Sequence, residues 1–203
     1  MSIELYLASA SPRRRTLLQQ LGLNFKQVVA AVDETPLPDE AAALYVCRLA
    51  LAKARAVQTR PTVDPTIPVL GADTSVVIDD RLLGKPGDRA EGLAMLARLS
   101  GREHQVLSAV ALVRGEQERV RLQTSRVVFR ELSPGECGAY WDTGEPMDKA
   151  GAYGIQGLGA GFVRELHGSH SGVMGLPLFE TIALLREFGI DILDRPSPAT
   201  EPS

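Results

Sequence analysis

The sequence predicts an α/β or α+β domain built on a mixed sheet, and three observations predict it. Strand-like apolar runs and helical patterns are intermingled along the chain rather than gathered into blocks. No internal repeat and no linker-like stretch interrupts them. The 203 residues, 44% of them hydrophobic, are enough to bury one substantial core. One folded unit over residues 1–194 is expected. After it, the segment from Arg195 to Ser203, with Pro196, Pro198 and Pro202 among small polar residues, predicts a disordered tail.

Leu5 to Ala8 reads as a short buried strand running into a Ser-Pro turn. Leu17, Leu18 and Leu21 then share a helical face; Ser11 is a good N-cap, Pro12 a good first helical residue, and Gly22 a stop. Phe25 to Val29 looks like a second strand leading to Asp33-Glu34, and an Ala- and Leu-rich helix carrying Lys53 is expected from about Asp39 to Gln58. Two strand pieces, Val69-Leu70 and Ser75 to Ile78, flank Gly71-Ala72-Asp73-Thr74, and Asp79-Asp80 turns the chain. Asp88 is placed to cap a helix whose Leu93, Leu96 and Leu99 face inward and which ends at Gly101. His104 to Val113 and Arg119 to Phe129 predict a hairpin around Gly115-Glu116. Ser133 and Glu136 have capping-box spacing for a short helix reaching Trp141. Gly144 to Gly175 holds nine of the 19 glycines, so its backbone is expected to pass close to another group, with a strand at Phe162 to Leu166 inside it. The amphipathic set Leu178, Ile182, Leu185 and Phe188 marks a final helix from Pro177 to Phe188, ended by Gly189.

Composition excludes several functions. A formal charge of -3 argues against a general polyanion binder, because non-specific nucleic-acid affinity needs many Lys and Arg; no stable nucleic-acid partner is expected. Cys47 and Cys137 have no metal-type or redox-type neighbours and read as buried, reduced thiols. The N-terminal residues are too short and acidic for a signal peptide, and no apolar run approaches the ~18 residues of a membrane span. A cytoplasmic address without membrane association is expected.

Five segments interleave cations, carboxylates and exposed amides where a nucleotide triphosphate would need them. In Ser9-Ala10-Ser11-Pro12-Arg13-Arg14 a helix N-terminus offers free amides and two arginines offer forked donors, though a capped helix with solvated arginines accounts for the segment equally well. Asp73 places a carboxylate between apolar pieces, where it could hold a metal or orient water, or simply form an Asx turn. Glu34 in Val-Asp-Glu-Thr-Pro also describes a surface loop, and Lys53, near Arg48 and Arg55, a solvated helix face. Lys85, between Gly84 and Pro86, sits in a constrained turn that can aim a charge at a phosphate. It is no Walker A loop, and Gly157-Leu158-Gly159-Ala160-Gly161-Phe162 lacks the last glycine of a dinucleotide fingerprint. Asp148-Lys149 and Gln156 are the polar groups of the glycine-rich region, Gln156 able to pair with a base edge. His167 and His170 resemble half a metal site with nothing to complete it.

In this order, Leu7-Ala8-Ser9-Ala10-Ser11-Pro12-Arg13-Arg14, Asp33-Glu34, Lys53-Ala54, Gly71-Ala72-Asp73-Thr74, Gly84-Lys85-Pro86, the run from Asp148 to Gly157 and Val173-Met174-Gly175-Leu176-Pro177-Leu178 resemble the Maf family of nucleoside triphosphate pyrophosphatases. The resemblance implies an α/β fold with a long mixed sheet flanked by helices and two lobes around a deep cleft, like the inosine triphosphate pyrophosphatases. It implies hydrolysis between α- and β-phosphates with Mg²⁺ or Mn²⁺, Asp73 as general base, Glu34 helping Asp73 to hold the metal, and Arg14, Lys53 and Lys85, beside Ser9, engaging phosphates. Arg13, Thr74 and Gln156 look like the branch acting on dTTP and UTP, modified pyrimidine nucleotides included; the backbone from Gly154 to Gly161 would close over sugar and base. His170-Ser171-Gly172 departs from the Tyr-Ser-Asn pattern common there. A homodimer and a link to cell division arrest are also implied. The competing expectation is a non-catalytic nucleotide-sensing or nucleic-acid-binding regulator using the same cleft.

Overall fold

The computed structural model describes residues 2–29 and 31–193, so the expected tail lies outside the described residues. Its strands are β1 (Leu5–Ala8), β2 (Phe25–Gln27), β3 (Val69–Ile78), β4 (Arg81–Leu83), β5 (Glu103–Arg114), β6 (Gln117–Phe129) and β7 (Val163–His167). They form one sheet in the order β2-β1-β3-β5-β6-β7, with β4 attached to β3 off that path. β1 runs parallel to β2 and β3, and every other pairing is antiparallel. The mixed α/β fold expected from the sequence is therefore the one observed.

Strand alternation sorts the core into two faces. Leu5 and Leu7 of β1, with Leu70, Val110 and Leu112, meet Leu17 and Leu18 of helix α1 (Pro12–Gln19) and Leu184 and Leu185 of helix α6 (Leu178–Glu187), which follows the short helix α5 (His170–Met174). On the other face Tyr6, Ala8, Val69 and Val113 pack on Ala54 and Val57 of helix α2 (Ala42–Gln58). The far ends of β3, β5 and β6 supply Val76, Val106, Val127 and Phe129 to a separate cluster with Leu96 and Leu99 of helix α3 (Arg89–Leu99) and Tyr140 of helix α4 (Pro134–Asp142). β3 and β5 thus run through all three clusters, each buried leucine contributing about 1.5–3 kcal/mol to its own.

Two local features position the site. A Cβ on Gly71 would lie 2.1 Å from the Ala50 carbonyl oxygen and 2.8 Å from the Ala54 nitrogen, so only glycine lets α2 pack directly against β3. Along β3, pairing with β1 stops at Gly71 and pairing with β4 starts at Val76, while β5 pairs throughout. Residues 72–75 therefore face a gap in the sheet, flanked by no strand on that side among the described residues.

Several expectations are corrected. Gly71 to Thr74 is no turn but the middle of one continuous strand, because β5 pairs with each of these residues. α2 begins at Ala42 rather than Asp39, whose φ of 54° is not helical. β2 ends at Gln27, β7 begins at Val163, and β4 was not foreseen. Cys47 is half-buried, whereas Cys137 is buried as expected; both thiols are free. The caps at Ser11, Asp88 and Ser133 and the hairpin at Gly115 (φ 59°) stand where the sequence places them.

Candidate active site

The gap beside residues 72–75 opens into a cleft of about 640 Å³. It collects Ser9, Arg13, Arg14, Glu34, Lys53, Asp73, Thr74, Lys85 and Gln156, every site residue expected from the sequence. The β1-to-α1 turn, the loop before α2, α2, β3, the turn after β4 and the glycine-rich segment each supply part of the lining.

At its floor Lys53 bridges two carboxylates, its Nζ lying 2.7 Å from Asp73 Oδ1 and 2.7 Å from Glu34 Oε1. Lys53 is only 14% exposed, so the solvated-face reading of this lysine fails. Its helix turns it inward because α2 packs so closely on β3. Asp73 is nearly buried, and burial raises its pKa above the ordinary carboxylate value even though Lys53 and Arg14 pull it down. Glu34 is half exposed; burial pushes it up as well, but Lys53, Lys85 and Arg14 outweigh that and hold it below its ordinary value. Two carboxylates on one ammonium are thus driven in opposite directions by their surroundings.

The loop that presents Glu34 is tied to α2. The Tyr45 hydroxyl donates to the Glu34 carbonyl at 2.9 Å, and Arg48 donates to the Thr35 carbonyl at 3.2 Å while pairing with Glu40 at 2.6 Å. Tyr45 also lines the cleft and escaped the sequence reading. Its signal was available: Tyr45 and Lys53 stand at i and i+8, within one helical face.

Arg14 lies close enough to Asp73 for each to influence the other's charge. Its Nε donates to the Gly175 carbonyl at 2.8 Å, and its two Nη atoms reach Ser9 Oγ and Thr74 Oγ1, each at 3.3 Å. Burial lowers the Arg14 pKa below its ordinary value, with Asp73 opposing. An arginine only donates and a carbonyl only accepts, so the chain of bonds has one direction. It runs from Arg14 to Thr74, on to Ser108 Oγ at 2.8 Å, and from Ser108 to the Gly172 carbonyl at 2.6 Å. The Thr74 hydroxyl therefore orients Arg14, a task beyond the base recognition expected of it.

The mouth is spanned by an ion pair between Arg13 and Asp148, 2.9 Å apart. Lys149 is nearly buried and donates to Asp148 at 2.6 Å, whereas Lys85 is exposed on the rim. Gln156 is exposed at the opening, on the segment after Gly154. From the stretch expected to close over sugar and base, only Gly154 and Gln156 reach the lining; Gly157 and Gly159 instead make room for Glu145 and Tyr140, which a Cβ would meet at 2.3 and 2.7 Å. His167 lies 3.4 Å from Glu165, and among the described residues no group of three or more His, Cys, Asp or Glu side chains converges as a metal site.

The description of Maf-like proteins as a family matches residues 4–188, which includes every residue of this cleft. The chain belongs to the Maf family. This Maf chain is similar to the dTTP/UTP pyrophosphatase of Pasteurella multocida (strain Pm70), 50% identical over 93% of this chain and 98% of the relative. The dTTP/UTP pyrophosphatase of Alkalilimnicola ehrlichii is 54% identical over 92% of this chain and 94% of the relative. That of Hahella chejuensis is 55% identical over 93% and 94%. Among solved structures, a nucleoside-triphosphatase / dITP/XTP pyrophosphatase from Mycobacterium abscessus shares 19% identity over 90% of this chain and 94% of that chain, with a TM-score of 0.45.

Proposed function

We propose that this Maf chain is a nucleoside triphosphate pyrophosphatase that hydrolyses dTTP and UTP to the monophosphate and pyrophosphate. The observation that carries the reading is the Glu34–Lys53–Asp73 bridge at the floor of a cleft ringed by Arg13, Arg14, Lys85 and Lys149. The similarity to several relatives named dTTP/UTP pyrophosphatase supports the substrate class.

Cleavage at the α-phosphorus needs a positioned water and donors where charge grows on phosphate oxygens and leaving pyrophosphate. Asp73 supplies the base. Its raised pKa gives it more affinity for a proton than an ordinary carboxylate, and Lys53 holds one of its oxygens while the other takes the proton from water. Arg14, fixed by Gly175, Ser9 and Thr74, is pre-oriented toward the phosphates and needs little rearrangement on binding. Lys53 and Lys85 neutralise the pyrophosphate, and Arg13 exchanges Asp148 for substrate. Gln156 meets the pyrimidine edge at the mouth.

A divalent cation fits the donor set. One oxygen of Glu34 and one of Asp73 are taken by the Lys53 ammonium, so their second oxygens would hold the cation, and the described residues bring no further His, Cys, Asp or Glu group, so phosphate oxygens and water would complete its sphere as hard cations favour. When bound, Mg²⁺ or Mn²⁺ would neutralise charge on the phosphate oxygens. No helix among the described residues is long and apolar enough to cross a membrane.

The test is pyrophosphate release from dTTP, UTP, CTP, GTP and 7-methyl-GTP with Mg²⁺ or Mn²⁺, and with EDTA. Cation-dependent turnover led by dTTP and UTP is expected. Folded protein that binds nucleotide yet releases no pyrophosphate would instead establish a non-catalytic sensor.

A further inference from the structure

The pyrimidine-nucleotide reading leaves open what holds Gln156, which sits on an irregular segment at the cleft mouth. The segment is anchored on both sides of it. The Gly154 amide donates to the Tyr140 hydroxyl at 3.1 Å, the Leu158 amide to Glu145 Oε2 at 2.9 Å, and the Gly159 amide to Glu145 Oε1 at 3.2 Å. Tyr140 itself donates to Glu145 Oε1 at 2.7 Å. A carboxylate can only accept, so the hydroxyl proton points at Glu145 and leaves its oxygen free to receive Gly154. Gln156 lies midway between the anchored amides of Gly154 and Leu158.

The anchor is enclosed and multiply bonded. Tyr140 is nearly buried, with its ring edge-on to Phe162 at 4.8 Å. Burial raises the Tyr140 pKa and the bond to Glu145 raises it further. Burial also pushes Glu145 up, but bonds from Tyr140, Leu158 and Gly159 outweigh it and hold that carboxyl below its ordinary value. The Glu145 carbonyl accepts from Lys149, which also lines the cleft. Gly157 and Gly159 lack side chains where Glu145 and Tyr140 would collide with a Cβ, so part of the glycine content of this region exists to admit the anchor.

We propose that Tyr140 and Glu145 are positioning residues for base selectivity, acting by pinning the 154–159 segment so that Gln156 faces the pyrimidine edge. This rests on the reading of the cleft as a pyrimidine-nucleotide site, though not on its catalysis. The experiment uses the full chain and the products UMP and GMP, which need no hydrolysis. Affinities are measured by calorimetry for wild type, Tyr140→Phe, Glu145→Gln and Gln156→Ala, and for each anchor substitution combined with Gln156→Ala. Thermal unfolding is followed in parallel. Wild type is expected to prefer UMP, and Tyr140→Phe to lower that preference about five- to tenfold, as losing one or two hydrogen bonds on the segment implies. In the Gln156→Ala background the same change should leave the remaining preference unaltered, because the group being positioned is gone. A merely structural anchor would lower both affinities equally in either background. That result, an unchanged preference, or a wild type that does not discriminate would each overturn the proposal. Glu145→Gln, which keeps the side chain's shape, carries the test if Tyr140→Phe fails to fold. Preference for UMP without pyrophosphate release from any triphosphate would sink the enzymatic reading alone.

Discussion

Replacing Asp73 with asparagine keeps the shape of the side chain and removes its charge, and the structure assigns these two changes opposite effects. For turnover, the loss is that of a general base, about 10²- to 10⁴-fold. For stability the sign reverses. Burial is the largest influence on Asp73 and raises its folded-state pKa above the unfolded value of about 3.9, despite Lys53 and Arg14. A raised carboxylate pKa means that the fold favours the neutral form. The associated stability is complete below the unfolded pKa and is lost as pH rises through the folded one. At pH 8 wild type therefore carries a charge its surroundings disfavour, and asparagine does not. Lys53 keeps Glu34 at 2.7 Å and still finds an amide oxygen at residue 73. The expected result is a variant with at most a hundredth of wild-type kcat on UTP and a melting temperature at pH 8 equal to or above that of wild type. Each kcal/mol corresponds to about 2–4 °C for a chain of this size. Activity within tenfold of wild type would remove Asp73 as the base. A melting temperature several degrees lower would mean that ion pairing outweighs desolvation at this carboxylate.

Lys53→Met removes an influence that lowers the Asp73 pKa, so the acid limb of the pH–rate profile for UTP should move to higher pH, with kcat reduced about 10²-fold or more. Gln156→Glu should reduce kcat/KM for UTP and dTTP about tenfold or more by setting a carboxylate against the base carbonyls; unchanged rates would show that Gln156 is not the reader. Gly71→Ala forces a methyl group into the α2 backbone, so stability should fall by about 1–3 kcal/mol or more, read as a lower melting temperature, and turnover should fall with it as Lys53 is displaced from Asp73.

What the sequence made legible was local. Ser11, Asp88 and Ser133 each cap their own helix through a bond to an amide three residues on, so their role depends on nothing distant. The residues expected to form a site stood out as types and spacings, and all of them line one cleft. What stayed hidden was settled by partners far along the chain. Gly71 to Thr74 reads as a break because its residues are small and polar, yet pairing with β5 makes it strand. Lys53 reads as one more cation on a basic helix until Gly71 brings α2 against β3. Gly157 and Gly159 signal a backbone that passes close to another group, and only the positions of Glu145 and Tyr140 say which.

An unpaired strand edge ordinarily presents a template onto which another chain can add, and proteins bury, shorten or charge such edges to prevent aggregation. The open edge of β3 meets all three conditions. It is confined to residues 72–75, terminated at each end by a strand already in place, and sunk between Lys53, Arg14 and Glu34. A foreign strand has neither the length nor the access to pair there, whereas a small polyanion has both. The interruption that would be a hazard on an outer rim here selects against polypeptide while leaving room for a small charged ligand beside Asp73, Thr74 and Ser75.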